Sequence, residues 1–500
     1  MFDGLFQGLA LILTMPGMTM LVLGVMVGLI FGVIPGLGGT TAIALFIPLT
    51  YGMNPQDAMA LAGGIMGAVS FGGSITAILL NTPGTAPSAA TCFDGYPLAQ
   101  QGKSGMAIGA AGMASSLGGI FGILILVAVI PVAKGLVLAF GPAEFFMMAL
   151  VGLSSIAAST GGMFLRGLVS AAAGLLLAFV GYDAVSGGNR FTLGTDYLWD
   201  GIPLVPTLIG MFAISEMIKL SIEGGTVVRT KEFGSRIVGV WEGIIAVLRE
   251  WPTVLRCSAL GTFIGAVPGV GGTVASFLSY SMTMQVSKHP ERFGKGEIQG
   301  VIGPEAANNA KDGGSLIPTL AFGIPGSAEM AVFLGLLVLH GLDPGPMLLI
   351  EHEGVMFSLI VALTISCIIA TVIGLAITRW LSLITLVNVH ILVPAVIAVS
   401  LVGAYSLNGK IEDVVMAAVA GILGYQMIKF RFPRVTLVIA LVLGDLAERS
   451  FHQTMQIADN DWSIFVTRPI SLILLLLVFV SLGFPIFRHV WGRRRVAQAH

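Results

Sequence analysis

The chain has 500 residues, of which 55% are apolar (AVILMFWYC) and 10% charged, with a formal net charge of −1. A soluble domain carries about 25% charged residues, so a chain this apolar cannot cover a water-facing surface and belongs mostly in lipid. The near-zero charge excludes a polyanionic partner, and no nucleic-acid partner is expected, because Arg493-Arg494-Arg495 is the one basic tract.

No Lys or Arg precedes the first apolar run, so a cleaved signal peptide with a charged start is not indicated. The first landmark is Gly32-Val33-Ile34-Pro35-Gly36-Leu37-Gly38-Gly39-Thr40, and it recurs as Gly265-Ala266-Val267-Pro268-Gly269-Val270-Gly271-Gly272-Thr273. Residues 41–51 would make a helix of roughly 16 Å, too short for a hydrocarbon core of about 30 Å. They read as a half helix. A second landmark, Gly72-Gly73-Ser74-Ile75-Thr76 leading to Pro83-Gly84-Thr85-Ala86, recurs as Gly313-Gly314-Ser315-Leu316-Ile317 leading to Pro325-Gly326-Ser327-Ala328. Two homologous parts are therefore expected. Gly/Pro-broken apolar segments at matching places point to a transporter's binding site.

Basic residues in short loops give the orientation. Lys219, Arg229, Lys231, Arg236, Arg249 and Arg256 put the middle of the chain in the cytoplasm. Lys288, Arg292 and Lys295 do the same for residues 287–296, as do Lys429, Arg431 and Arg434 for the loop that contains them. Arg166 falls in an inside loop, while Asp183, Asp196 and Asp200 outweigh Arg190 outside; Lys134, also outside, is an exception. The second part starts inside and its last piece, residues 435–447, ends outside, so the crossings are odd and the parts inverted.

The expected fold is an all-α polytopic membrane protein with two inverted-topology repeats, broken or re-entrant helices and one extra C-terminal span. Repeat 1 covers residues 1–222, a cytoplasmic connecting segment 223–253, and repeat 2 residues 254–450. The extra span covers 469–487 and a cytoplasmic tail 488–500. Long apolar runs such as 355–378 argue for helices, and the alternating strands of a membrane barrel are missing.

The paired turns would free backbone N–H groups at helix starts, which attract anions. Substrate contacts are expected from Gly36, Gly38, Gly39, Thr40, Asn81, Thr82, Gly84, Thr85, Gly271, Gly272, Thr273, Gly326 and Ser327. Hydroxyls, amides and freed carbonyls suit a cation, giving Ser74, Thr76, Asn81, Asn308, Asn309 and Ser315. The alternatives are turns that serve packing alone and hydroxyls that bond back to their own helices. Glu305, Asn308, Asn309 and Asp312 share one helical face beside Lys311, where the matching residues are Gly64, Gly67, Ala68 and Phe71. This stripe is either functional or a solvated helix end near residues 287–296. Glu216, Asp445 and Glu448 read as interface or cap residues.

Cys92, Cys257 and Cys367 are odd in number and far apart, supporting neither a disulfide framework nor a metal site. Gly102-Lys103-Ser104 lacks the first glycine of a phosphate loop, where Pro97 stands, and the seven His are scattered. No enzyme, cofactor or metal is expected.

At Pro35-Gly36-Leu37-Gly38-Gly39, at residues 72–84, and at Asp94-Gly95-Tyr96-Pro97-Leu98-Ala99, the sequence resembles the large membrane subunit of the tripartite tricarboxylate transporters. The resemblance continues through residues 261–280, 290–296, 304–310, 323–327 and 340–346. It implies a bacterial inner-membrane symporter for tricarboxylates or related carboxylates, coupled to Na⁺ or H⁺. It also implies a small membrane subunit and a periplasmic solute-binding protein as partners. The rival readings are an ion-coupled exporter or channel for small organic anions, or a membrane scaffold without transport.

The place of Asn81 and Ser327 beside the Pro-Gly breaks generates a prediction. Asn81→Ala or Ser327→Ala lowers cation or substrate affinity while the protein still inserts; unchanged uptake kinetics across Na⁺ concentrations would remove both from the site.

Overall fold

The structure, a computed structural model, describes residues 2–137, 139–158, 164–183, 187–223, 238–384 and 389–482. Arg229, Lys231 and Arg236 of the expected connecting segment lie outside the described residues, as do 483–487 of the last span and the basic tail.

The described chain is nearly all helical. It runs α1 (Phe2–Ile12), α2 (Met15–Val33), α3 (Gly38–Phe46), α4 (Pro55–Leu80), α5 (Ala89–Gln100), α6 (Ser104–Val137), α7 (Pro142–Ala158) and α8 (Phe164–Ala178). After a two-residue antiparallel ribbon that pairs Gly181 with Arg190 come α9 (Leu204–Leu208), a π-helical turn (Ile209–Ile214) and α10 (Ser215–Glu223). Then follow α11 (Val240–Arg249), α12 (Trp251–Gly265), α13 (Gly271–Val286), α14 (Gln299–Phe322), α15 (Ala328–Leu339), α16 (Pro346–Glu351), α17 (Glu353–Ile384), α18 (Val389–Asn408), α19 (Ile411–Lys429) and α20 (Arg434–Ile457). The described chain closes with α21 (Ile464–Thr467) and α22 (Pro469–Leu482).

Among the described residues seven helical stretches are long and apolar enough to cross a membrane, and five apolar helices are shorter. Helix α14, with 24 residues, would span about 36 Å but fails on composition because Glu305, Asn308, Asn309, Lys311 and Asp312 lie inside it. Lipid would penalise those groups heavily. They are shielded instead: α14 is buried at nearly every position from Gly300 to Ala321. Helix α4 is buried almost as completely, and the two central helices touch.

The same packing is built around each central helix. Helix α2 lies on α4 and α12 on α14, while α17 crosses α4 and α6 crosses α14. Helix α1 then packs on α17, and α11 on α6. Small residues allow the close crossings. Gly24, Gly28 and Gly32 of α2 stand over the carbonyls of Leu61, Ile65 and Val69; Gly261 and Gly265 of α12 stand over those of Ala307 and Lys311. Around this centre, α7 and α8 pack on α20, and α19 packs on the π turn.

The π turn has a local cause for its partner. Its Met211 carbonyl accepts from Arg434 at 2.9 Å, while Arg434 also reaches Ser215 Oγ at 2.6 Å and Glu216 at 2.5 Å. Glu216 thus joins two distant parts of the chain, and Glu448 does so through Arg190 at 2.8 Å, whereas Asp445 pairs with Arg449 on its own helix.

The expected half helix is a nine-residue α3 followed by a 3-10 turn, Ile47–Thr50; its counterpart α13 is longer, at 16 residues. Between α4 and α5, the Gly84 N–H donates to the Gly73 carbonyl at 3.2 Å. A Cβ on Gly84 would be driven into the Gly32 carbonyl oxygen and would stand 2.8 Å from the Gly73 Cα. Gly326 holds the corresponding place: a Cβ on it would stand 2.8 Å from both the Gly265 carbonyl oxygen and the Ser315 Cα.

Gly84→Ala is therefore expected to cost about 1–3 kcal/mol as an overpacking change, read as a lower unfolding midpoint in detergent. Gly135→Ala is the control: among the described residues nothing lies within 4 Å of its Cβ position in α6. It should be neutral or stabilise by up to about 1 kcal/mol.

Candidate functional site

The two Pro-Gly-x-Gly-Gly turns have the same backbone. Gly36 (φ 89°) and Gly38 (φ 58°) take the left-handed region, as do Gly269 (φ 80°) and Gly271 (φ 75°). A Cβ would be strained there, which explains the residue type. The turns end α2 and α12 and start α3 and α13. Neither new helix has a side-chain cap, so first-turn N–H groups keep a partial positive charge for another partner.

Both helix starts face one charged cluster. Lys311 Nζ lies 2.5 Å from Asp312 Oδ1 and 2.7 Å from Glu329 Oε2. The Lys311 side chain is 4% exposed and that of Glu329 22%, so Glu329 is the member nearest the outside. The Lys311 stem runs past α13, its Cε 2.6 Å from where a Cβ on Gly272 would be. Glu329 Oε1 lies 3.0 Å from the corresponding point on Gly39, in the first turn of α3. Glu329 thus bridges an ammonium and a helix start with its two oxygens. Its formal charge and that of Asp312 exceed that of Lys311 by one negative unit.

The counterpart contact lacks charge. Pro87 follows Pro83-Gly84 at the interval at which Glu329 follows Pro325-Gly326. Its ring stands 3.0 Å from the Gly272 Cβ position, as Glu329 stands from Gly39. Ser70-Phe71 occupies the place of Lys311-Asp312. All three charges thus come from the C-terminal part of the chain. Glu329 is the residue that sequence reading missed. The available signal was an acidic residue two positions after Ser327, in the first turn of an otherwise apolar helix.

The polar stripe of α14 is not a solvated helix end. Glu305 is fully buried, and Asn308, Asn309 and Asp312 are 1, 3 and 5% exposed. Asn309 donates to the Ser115 carbonyl at 3.0 Å and reaches Cys367 Sγ at 3.6 Å. Glu305 Oε1 accepts from the Thr91 hydroxyl of α5. Its Oε2 has no partner among the described residues, nor has either amide atom of Asn308.

The other expected site residues divide. Ser74 donates to the Ser70 carbonyl at 3.0 Å, Thr76 to Gly73 at 3.2 Å and Thr82 to Leu80 at 3.1 Å. These are back-bonds within or beside α4, and their oxygens keep lone pairs. Ser315 bonds across to the Gly265 carbonyl at 3.1 Å, and Thr85 pairs with Ser88 at 2.8 Å. Ser327 caps α15 by accepting from the Met330 N–H at 3.3 Å. Asn81 is the exposed left-handed cap of α4 (φ 51°), Thr40 is half-buried and Thr273 exposed. Gly39, Gly272 and Lys311 are brought to one place; Asn81 and Thr273 stand at the surface.

Asp94, in the segment between Pro83-Gly84 and α6, is an anchor. Buried on α5, it accepts from Tyr280 Oη and from the Gly296 and Glu297 N–H groups, each at 2.8 Å. It ties the loop before α14 to α5 and so sets how Thr91 meets Glu305.

Residues 18–439 match the family described as "Tripartite tricarboxylate transporter TctA family". The chain is 36% identical over 454 residues to an "Uncharacterized 52.8 kDa protein in TAR-I ttuC' 3'region" of Agrobacterium vitis, covering 90% of this chain and 89% of that one. It is 37% identical over 216 residues to an "Uncharacterized protein in TAR-II ttuC' 3'region" of the same organism, covering 43% of this chain and 89% of that one. No solved structure matches.

The Asp94 anchor generates a prediction. Asp94→Ala strands two amides and a hydroxyl, each buried unsatisfied group costing about 1–3 kcal/mol. It should lower the unfolding midpoint in detergent more than Tyr280→Phe, which removes one of the three donors.

Proposed function

The chain belongs to the tripartite tricarboxylate transporter TctA family, and we propose that it is the large membrane subunit of a binding-protein-dependent importer of tricarboxylates or related carboxylates. It works in the bacterial inner membrane, with a small membrane subunit and a periplasmic solute-binding protein as partners. Import is driven by a Na⁺ or H⁺ gradient. The family is one of transporters, not of enzymes.

The observation that carries this reading is the meeting of both uncapped helix starts at Lys311 and Glu329. Glu329 holds the contacts that a substrate carboxylate would make: an ammonium on one oxygen, a helix start beside the other. A substrate carboxylate takes this place as Glu329 withdraws. Each helix start contributes about half a positive charge, so two starts and Lys311 offset roughly two negative charges. Asp312, a displaced Glu329 and a substrate of up to three charges exceed that. Cotransported cations supply the remainder, and their effect on substrate affinity is reciprocal.

Alternating access follows from two inverted repeats, residues 1–222 and 254–450, with residues 223–253 inside the cell and 469–487 as an added span. The recurrence of the α2–α4 packing as α12–α14, and of α4–α17 as α14–α6, supports the repeats. The basic loops support the inversion. The interruptions at residues 34–37, 81–88, 266–270 and 323–327 support a substrate site near the middle of the bilayer. The expected outside loops 340–354 and 447–468 are largely helical in the structure, with 340–345 and 458–463 the longest stretches between helices; segments this short cannot capture ligand alone, which leaves the outer face to dock the solute-binding protein.

The test is uptake of a panel of labelled carboxylates by liposomes that hold the subunit with its partners. Parent protein concentrates substrate only under an ion gradient. Lys311→Ala lowers uptake by two orders of magnitude or more, and Glu329→Gln tightens substrate binding without a gradient while weakening concentrative uptake. Downhill flux without coupling would favour a channel. Lys311→Ala working at the parent rate would move anion recognition elsewhere.

A further inference from the structure

We propose that Glu305, Asn308 and Thr91, with Ser74 beside them, form a sodium site between α14 and the α4–α5 break. The Glu305 carboxylate is fully buried, with one oxygen on the Thr91 hydroxyl and the other without a partner among the described residues. The Ser74 hydroxyl faces the same carboxylate. Asn308, one helical turn further on the same face, is 1% exposed with both amide atoms unpartnered. Buried polar groups are almost always bonded. Here, among the described residues, a carboxylate oxygen lacks a partner beside two hydroxyls, and an amide oxygen one turn along the same face lacks one too.

The donor set decides the ligand. It is all oxygen, which selects a hard cation. It carries one negative charge, so a monovalent ion neutralises it and a divalent ion would leave a buried excess. The nearest cation on α14 is Lys311, about 9 Å further along the helix and already held by Asp312 and Glu329. The Cys92 thiol of α5 also faces Glu305 but carries no positive charge. A proton would serve one Glu305 oxygen. A sodium ion can take that oxygen, the Asn308 oxygen and the hydroxyl lone pairs together. Ser74 and Thr91 lie before residue 101 and the other two after residue 304, so the ion would tie distant parts of the chain across the contact of the two central helices.

The site rests on the transporter reading only for its consequence, coupling; its occupancy can be measured without substrate or partners. The unfolding midpoint of the purified full-length protein in detergent is followed as NaCl replaces choline chloride at constant ionic strength and pH 8. A ligand that binds the folded state raises the midpoint by mass action. The expected result is a saturable, sodium-specific rise that Glu305→Gln, Asn308→Ala and Thr91→Val each abolish or shift at least tenfold in sodium concentration. Thr91→Val keeps the charge and volume, so the test stands if Glu305→Gln fails to fold. The absence of a sodium-specific rise in the parent, or its survival in all three variants, overturns the proposal. A midpoint that follows pH and ignores sodium also overturns it, assigning Glu305 to a proton. Loss of the sodium effect in Thr91→Val alongside a parent that carries no carboxylate in liposomes would uphold the site and reject the transporter reading.

Discussion

A lysine buried among apolar helices governs the centre of this molecule. Lys311 is out of reach of water, and leaving it unpaired would cost several kcal/mol. Asp312 and Glu329 compensate it. Asp312 comes from the same helix, but Glu329 comes from the helix after the next break, so the charge fixes how α14 and α15 join. It also meets the starts of α3 and α13: Glu329 lies on the first turn of one and the Lys311 stem on the first turn of the other.

That arrangement requires close backbone approach, and glycine provides it. The Lys311 carbonyl oxygen lies under Gly265, while its side chain passes Gly272. A methyl at either position would meet the same lysine from a different side. In water such crossings could rest on larger apolar side chains. In lipid, where tails compete equally for apolar contact, tight van der Waals packing of small residues is the available driving force. Closeness of helices and burial of charge are one design: the charges can lie at the centre because small residues let α6, α12 and α4 close around α14.

The duplicated framework is chemically unequal. Phe71 stands for Asp312 and Pro87 for Glu329, so one part contributes shape and the other charge. Equal halves would put two ammonium groups and four carboxylates at the centre, a far greater cost. With one set, the cluster holds a single excess negative charge. Under the proposed function, an anion enters as Glu329 moves or a cation arrives. The Glu305 carboxylate, on α14 and bonded to Thr91, would extend that dependence through the proposed sodium site. Alternation between two arrangements needs bistable contacts rather than a continuous deformation, and the proposed exchange of Glu329 for a substrate carboxylate would supply one.

By itself the sequence determined the medium, the helical character and the Pro-Gly turns at which helices end. Composition decided lipid over water, because 10% charge cannot solvate a surface of this size. The left-handed glycines at 36, 38, 269 and 271 are local matters: Pro-Gly-x-Gly-Gly dictates its own turn. The family was legible for the same reason, since these turns are contiguous strings. Which polar groups meet was decided by tertiary structure alone. Nothing local distinguishes Asn309, spent on the Ser115 carbonyl of α6, from Asn308 next to it, which has no partner among the described residues. Nothing local says that Ser327 is occupied as a cap, that Asn81 is exposed, or that Glu329 belongs with Lys311. Those outcomes depend on which face of a helix a distant segment covers, and helix periodicity names the face without naming the neighbour.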